Sequence, residues 1–591
     1  MMNYSRNLYV TALLLTAARL ASAATPTNAY LVHNLVADQP GIADFTDPNL
    51  VNPWGFATSA SSPFWLTDGG AGLSTVYTSN GTPNANTHPT VPPSAKGTTP
   101  STPTGIVANA TGGFLVQGKV PGFIFVTADG ALSAWASGVS ATQAQLMVDN
   151  SGSGAVYFGL AISATTTNAA PLLYAANFAS GNIDVFDTNF KPVPMPGAFL
   201  DASVPAGYAP FNIQNVGGKL YVMYAKQNAA KNFATLGAGL GYVAIFDLSG
   251  NLIKHLASNG PLNAPWGVAV APSTFGAFAS DVLIGNFGDG TVNAFDPNTG
   301  SALGALQDQN GNTITYPGLW GLIVGNGGSG GDANAVYLIA GGASQKHGVL
   351  ASIQASPTIT SVSNAADIQS GIAMNTYISV YGSDLAPITR NWTNSDFSGT
   401  KLPASLDGVS VTVNGLAAFV YYISPKQIDV LTAVDTTTGP VQVVVTDNGL
   451  ISNSMSTTMQ AYSPAFFLLK DNISIAALHS NGSIVGAATL YAGLSTPAVS
   501  GETIGLYGNG FGQTTPAIAS GTIVTTASAC ATTPTATVGS APAQVTYCAL
   551  VSAGLYQVNV TIPAGTPSGN NAVVITFGTV SSNSNAMITV Q

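Results

Sequence analysis

Apolar residues in this chain come in short blocks, and six of the blocks repeat one plan. They read FWLTD, FIFVTAD, LLYAAN, LYVMYA, VLIGN and VYLIA. A glycine follows each, then an alternating stretch that ends on a large apolar residue. The pairs are Gly72 and Tyr77, Gly130 and Trp135, Gly181 and Phe186, Gly241 and Phe246, Gly290 and Phe295, and Gly348 and Ile353. Blocks of this length flanked by Gly, Asn and Asp are strands joined by tight turns, so each unit contains a hairpin. Two of the units share a longer phrase, ANFASGNIDVFD at Ala176 to Asp187 and GNFGDGTVNAFD at Gly285 to Asp296. Upstream lies a further apolar element: NPWGFA at Asn52, APWGVA at Ala264 and GLWGLI at Gly318, with weaker forms PTGIVA at Pro103 and PFNIQN at Pro210. It adds one more strand per unit. A period of roughly 50 residues with several strands per unit predicts a β-propeller. Six units predict six blades over residues 28–355.

The pattern changes at Pro357. A second repeat appears in two copies. One runs ISVYGSDLAP, VSVTVNGLAAFVYYISPKQIDVLTAV and GPVQVVVTDNGLISNSMS. The other runs IGLYGNGFGQ, TATVGSAPAQVTYCALVSAGLYQVNVTI and NNAVVITFGTVSSNSNAM. Alternating strands broken by Gly, Asn and Pro turns predict two small β-sandwiches, at 357–461 and 462–591. The expected fold is all-β: a six-bladed β-propeller followed by two immunoglobulin-like β-sandwich domains.

Composition agrees with strands and narrows the partners. Of 591 residues, 46% are hydrophobic and only 6% charged, against roughly a quarter charged in ordinary soluble domains. Glu502 is the sole glutamate, so strong helix formers are scarce. The formal net charge is −10 with 14 Lys plus Arg, and no basic run occurs. Nucleic acid and polybasic membrane binding therefore have no electrostatic footprint. The start, MMNYSRNLYVTALLLTAARLASAAT, has Arg6, a short apolar run and the small residues Ala21-Ser22-Ala23. It reads as a signal peptide over residues 1–23, which places the protein outside the cytoplasm, extracellular or periplasmic. No later apolar run reaches spanning length. Two cysteines in an exported chain, Cys530 and Cys548, are expected to form a disulfide.

The N-terminal phrases YLVHNLVADQPGIADFTDPNLVNPWGFA and FWLTDGGAGLSTVY resemble an uncharacterised bacterial β-propeller family associated with PEP-CTERM sorting tails, with NHL-like repeats. The chain closes on a strand-like MITVQ, so that sorting route is not expected here. SNAADIQSGIAMNTYISVYGSDLAP, IAALHSNGSIVGAATLYAGLSTPAVSGETIGLYGNGFG and YQVNVTIP are similar to IPT/TIG immunoglobulin-like modules. They resemble more closely the uncharacterised paired C-terminal domain of secreted acidobacterial (Solibacter-type) proteins. Neither resemblance implies an assigned activity.

Candidate chemistry is sparse. The five histidines, His33, His88, His255, His347 and His479, show no zinc-ligand spacing. No nucleophile elbow or phosphate-binding loop is present. With so few imidazoles and carboxylates, a Ser-His-Asp triad has little material, so catalytic residues are not assigned. The strand ends before the hairpin turns carry Asp68, Asp129, Asn177 and Asn286, with Lys226 at the fourth. Placed around a ring, such oxygens could coordinate Ca²⁺ or bond a sugar. Equally, they could cap their own turns. Gluconolactonase-like propellers carry metal ligands at blade ends facing the channel, but this chain has no glutamate there to complete such a set. Trp54, Trp266 and Trp320 are either packing between blades or aromatic contacts for a sugar. The expectation is a secreted binding or adhesion protein, its propeller a platform for a polysaccharide or cell-surface protein and its sandwiches spacers. The alternatives are a metal-dependent lactonase or lyase acting in the channel, and a structural cell-surface component.

Overall fold

The computed structural model describes residues 28–163, 170–367 and 369–591. The expected signal peptide, 1–23, lies outside them. The described residues are all-β: strands joined by turns, three short 3-10 turns and no α-helix. No helix among them is long and apolar enough to cross a membrane. The chain divides into two compact units, Asn28–Ala355 and, among the described residues, Ser356–Gln591.

In Asn28–Ala355 the six repeat units form six small sheets, antiparallel except where Tyr30–Ala37 pairs with Phe45–Thr46. Their first strands are Pro53–Ala57, Pro103–Ala108, Tyr157–Ile162, Tyr208–Val216, Pro265–Val270 and Leu319–Val324. These strands touch in cyclic order, and the last touches the first, so the sheets form a closed, propeller-like ring. The six apolar blocks are the second strands and the alternating stretches the third. The sixth sheet borrows the start of the unit: Tyr30–Ala37 pairs antiparallel with Val349–Ala355. Gly348 N–H donates to Asp38 Oδ1 at 3.0 Å, which pins that junction. Strands such as Phe64–Asp68 and Leu173–Asn177 are buried at every position. That is the burial expected of sheets covered on both faces, and it explains why the blocks are apolar throughout.

The second unit reads differently. Val409–Val413 and Gly439–Asp447 alternate buried with more accessible positions, the pattern of a sheet with one wet face. They belong to a sheet that shares a core with a second sheet containing Tyr377–Ser383 and Gln427–Leu431; Ile378, Val380, Val411, Ile428, Val430 and Val443 fill it. A further sheet system runs from Ala465 to Val590 around Leu506, Tyr556, Val558, Val560 and Ile575. Cys530 and Cys548 are joined by a disulfide.

Candidate functional site

The ring is organised by one dipeptide. Trp54, Thr104, Phe158, Phe211, Trp266 and Trp320 occupy the same place on the six first strands, each followed by glycine or, once, by Asn212. All six strands shift register against their neighbours at this place. A bulge of this kind re-aims a side chain. Here it gathers five aromatics into one cluster, in which Trp54, Phe158, Phe211, Trp266 and Trp320 are joined by Phe178 and Phe287. Trp54 stacks on Trp320 at 3.5 Å between ring centroids, and Trp320 on Phe287 at 4.1 Å. The glycine after each aromatic lets the next strand approach. A Cβ on Gly267 would lie 2.5 Å from the Trp320 carbonyl, and one on Gly321 would lie 2.8 Å from Phe56 Cβ, across the closing joint. Side chains stitch the same level: Thr67 Oγ1 donates to the Thr104 carbonyl, Thr104 Oγ1 to the Tyr157 carbonyl and Asn212 Nδ2 to the Trp266 carbonyl, each at 2.7 Å.

Trp54, Trp266 and Trp320 are all buried, at 3%, 3% and 0% exposure, so their faces meet other rings rather than solvent. The strand-end residues are also largely engaged. Asn177 Oδ1 accepts from the N–H groups of Val156 and Ser180, both at 3.3 Å, and its Nδ2 donates to Asp184 at 2.9 Å. Asn286 Oδ1 accepts from Asn263 N–H at 3.1 Å, and Nδ2 donates to the Pro261 carbonyl at 2.7 Å. Asp129 accepts from Ser94 N–H at 3.0 Å and from the Thr127 hydroxyl. Lys226 is exposed. Asp68 differs. It is fully buried, its Oδ2 accepts from Thr75 N–H at 3.0 Å, and its Oδ1 has no partner among the described residues. Burial pushes its carboxyl well above the ordinary range, against the opposing pull of the Thr75 bond. Among the described residues no three His, Cys, Asp or Glu side chains gather so as to hold a metal ion.

A pocket of about 270 Å³ does open beside the aromatic cluster, on the turns of the fourth, fifth and sixth sheets. Phe233 and Phe287 form its apolar floor, their rings 5.5 Å apart and edge-on. Leu236, 47% exposed, stands at the side. Asp289 and Gln345 supply a carboxylate and an amide, and the Gly318 backbone completes the wall. Asp289 is braced by the Thr291 hydroxyl at 2.7 Å and by Asn263 Nδ2 at 3.2 Å. Asn286 sits in the same turn without lining the pocket. The phrase NFGD therefore supplies three pocket residues, Phe287, Gly288 and Asp289, none of which stood among the candidates read from the sequence. Phe233 and Gln345 lie outside the repeat and carried no sequence signal.

No family model matches the chain. Two curated relatives from Acanthamoeba polyphaga mimivirus do. Uncharacterized protein R648 is 33% identical over 302 residues, 49% of this chain and 72% of its own length. Uncharacterized protein L690 is 32% identical over 301 residues, 49% of this chain and 78% of its own. Among solved structures, a streptogramin B lyase aligns at 12% identity and a TM-score of 0.32, over 55% of this chain and 97% of that one. By identity and by the share of the relatives covered, the chain belongs to the family of these two uncharacterized mimivirus proteins.

Proposed function

We propose that the chain is a secreted binding protein whose ring is a six-bladed β-propeller and a ligand platform. Residues 357–461 and 462–591 are then two immunoglobulin-like sandwiches that carry it. The observation behind this reading is the aromatic-floored pocket on a ring whose axis is filled by the Trp54, Phe211 and Trp320 cluster. A shallow apolar floor with one carboxylate and one amide suits a neutral, hydroxyl-rich ligand, which stacks on the floor and bonds at the rim. A polysaccharide segment is such a ligand, and the weakly charged, hydroxyl- and amide-rich composition is in keeping with it.

The rival reading, a metal-dependent lactonase or lyase in the ring, has one free carboxylate oxygen to work with at the strand ends, Asp68 Oδ1. The remaining oxygens already accept N–H or O–H groups, so the binding reading is favoured.

The test is a glycan array probed with the full chain, followed by Leu236→Glu and Gln345→Ala. Retention on neutral glycans is expected, with affinity falling at least about tenfold in either variant, about 1.4 kcal/mol. Absence of retention, or retention unchanged in both variants, overturns the assignment to this pocket.

A further inference from the structure

The sole glutamate meets a histidine. His479 Nδ1 lies 2.5 Å from Glu502 Oε1, with the two side chains only 10% and 19% exposed. The other imidazole nitrogen, Nε2, lies 3.0 Å from Thr496 Oγ1. Three separate segments deliver these groups. His479 begins a tight turn, its carbonyl accepting from Gly482 N–H at 2.9 Å. Thr496 ends the Ser495–Thr496 strand, paired parallel with Ile484–Val485. Glu502 closes the turn from Val499, whose N–H donates to Glu502 Oε2 at 3.0 Å.

The hydrogen-bond partners fix the roles. A carboxylate can only accept, so Nδ1 carries the proton and donates it to Glu502. In the neutral ring Nε2 is then an acceptor. The Thr496 carbonyl also lies 3.0 Å from Nε2, but it can only accept, so it bonds the ring only when Nε2 carries a second proton. The Thr496 hydroxyl is the group able to donate to Nε2. A nucleophile bonded to a base, with that base oriented by a third group, is the arrangement that activates a hydroxyl for acyl transfer.

We infer that Thr496, His479 and Glu502 form a hydroxyl–imidazole–carboxylate relay that transfers acyl groups from small uncharged esters. Thr496 is exposed, so a carbonyl carbon can reach it. On either side in sequence stand Leu494, 65% exposed, and Val499, 41% exposed, apolar surface suited to a short acyl chain. As Thr496 Oγ1 bonds to the ester carbonyl carbon, its proton passes to His479 Nε2. The bond from that carbon to the alcohol oxygen breaks, and the alcohol leaves with the proton. Water then attacks the acyl-threonine and gives a proton to Nε2. The free carboxylic acid departs as Oγ1 takes that proton back. Thr496 is the nucleophile, His479 the general base and acid, and Glu502 a positioning residue that holds the imidazole tautomer.

The full chain incubated with p-nitrophenyl acetate tests this. A burst of nitrophenol is expected, with acetyl mapped to Thr496 by mass spectrometry. Thr496→Val keeps the shape and removes the hydroxyl; it and His479→Ala are expected to lose about 100-fold or more in kcat/KM. Thr496→Ser keeps the hydroxyl and is expected to retain turnover, which separates lost chemistry from lost folding. Hydrolysis no faster than that of His479→Ala overturns the inference. So does turnover preserved in Thr496→Val, which would mean an imidazole acting alone. None of these outcomes depends on the ring or its pocket.

Discussion

Asp384, Asp429 and Asp68 are carboxylates held away from water, and burial moves all three upward. Asp384 is pushed up to about 6. Asp429 is raised although Ser379 Oγ donates to it at 2.6 Å and Gln427 Nε2 at 2.9 Å. In the sheet system from Ala465 to Val590 the same Gln-x-acceptor pattern recurs with a neutral group: Gln557 Nε2 donates to Asn559 Oδ1 at 2.7 Å. The position accepts an amide, in line with a carboxyl disfavoured as an anion. The sign of the pH effect follows. A carboxyl whose folded value lies above its unfolded value binds its proton more tightly in the folded state. Its stabilising contribution is complete below the unfolded value, near 3.9, and is lost as pH rises through the folded value. For Asp384 that window is about pH 4 to 6. Turn residues such as Asp187 and Asp296 are shifted the opposite way by backbone N–H bonds, so the wild-type profile alone mixes signs. The difference between variant and wild type isolates one group. Asp384→Asn suits the site, because Asp384 has φ of 54° and asparagine tolerates that conformation. Its stability relative to wild type is expected to rise by on the order of 2 kcal/mol between about pH 4 and pH 7, read by urea unfolding at each pH. A flat difference refutes the buried-anion account.

At the scale of elements, the aromatic-glycine dipeptide does two jobs at once. The aromatic fills the axis and the glycine lets adjacent first strands meet. Gly267→Ala sets a methyl 2.5 Å from a backbone carbonyl that cannot rotate away. A cost of about 2 kcal/mol is expected from such overpacking, measured by thermal or chemical unfolding; a neutral result would mean that the joint has slack. The dipeptide itself was visible in the sequence at Trp54, Trp266 and Trp320, and so were the hairpins, because both depend on local turn chemistry and strand period. Three features were not visible. The register shifts that aim the aromatics inward depend on pairing between strands. The Tyr30–Ala37 strand pairs with Val349–Ala355, some 300 residues later, a partnership that no local pattern encodes. His479 and Glu502 are 23 residues apart and meet only through turns, so spacing rules tuned to helices pass over them. Phe211 stood in a weaker copy of the motif and Phe158 in no recognised copy, and their role as axial partners of the tryptophans emerged only once the six strands were aligned by register.

At the scale of the whole molecule, the chain carries two sets of cores. The Trp54 cluster and its neighbours lie within Asn28–Ala355, whereas the clusters around Ile428 and Tyr556 lie within Ser356–Gln591. The ring depends on both of its ends, since its sixth sheet joins Tyr30–Ala37 to Val349–Ala355, so it should unfold as one cooperative body. The disulfide lies in the other unit, where Cys530 and Cys548, 18 residues apart, join neighbouring strands near Phe511 and Tyr556. In the loop-entropy account a link closing so short a loop is worth about 3 kcal/mol. Scanning calorimetry of the full chain is therefore expected to resolve two transitions. A reducing agent should lower one by several degrees and leave the other in place. The ring alone, residues 28–355, should reproduce the unmoved transition with and without reductant. A single transition that shifts as a whole would show that the two units unfold together. In that case the stability of the ring would run through the second unit.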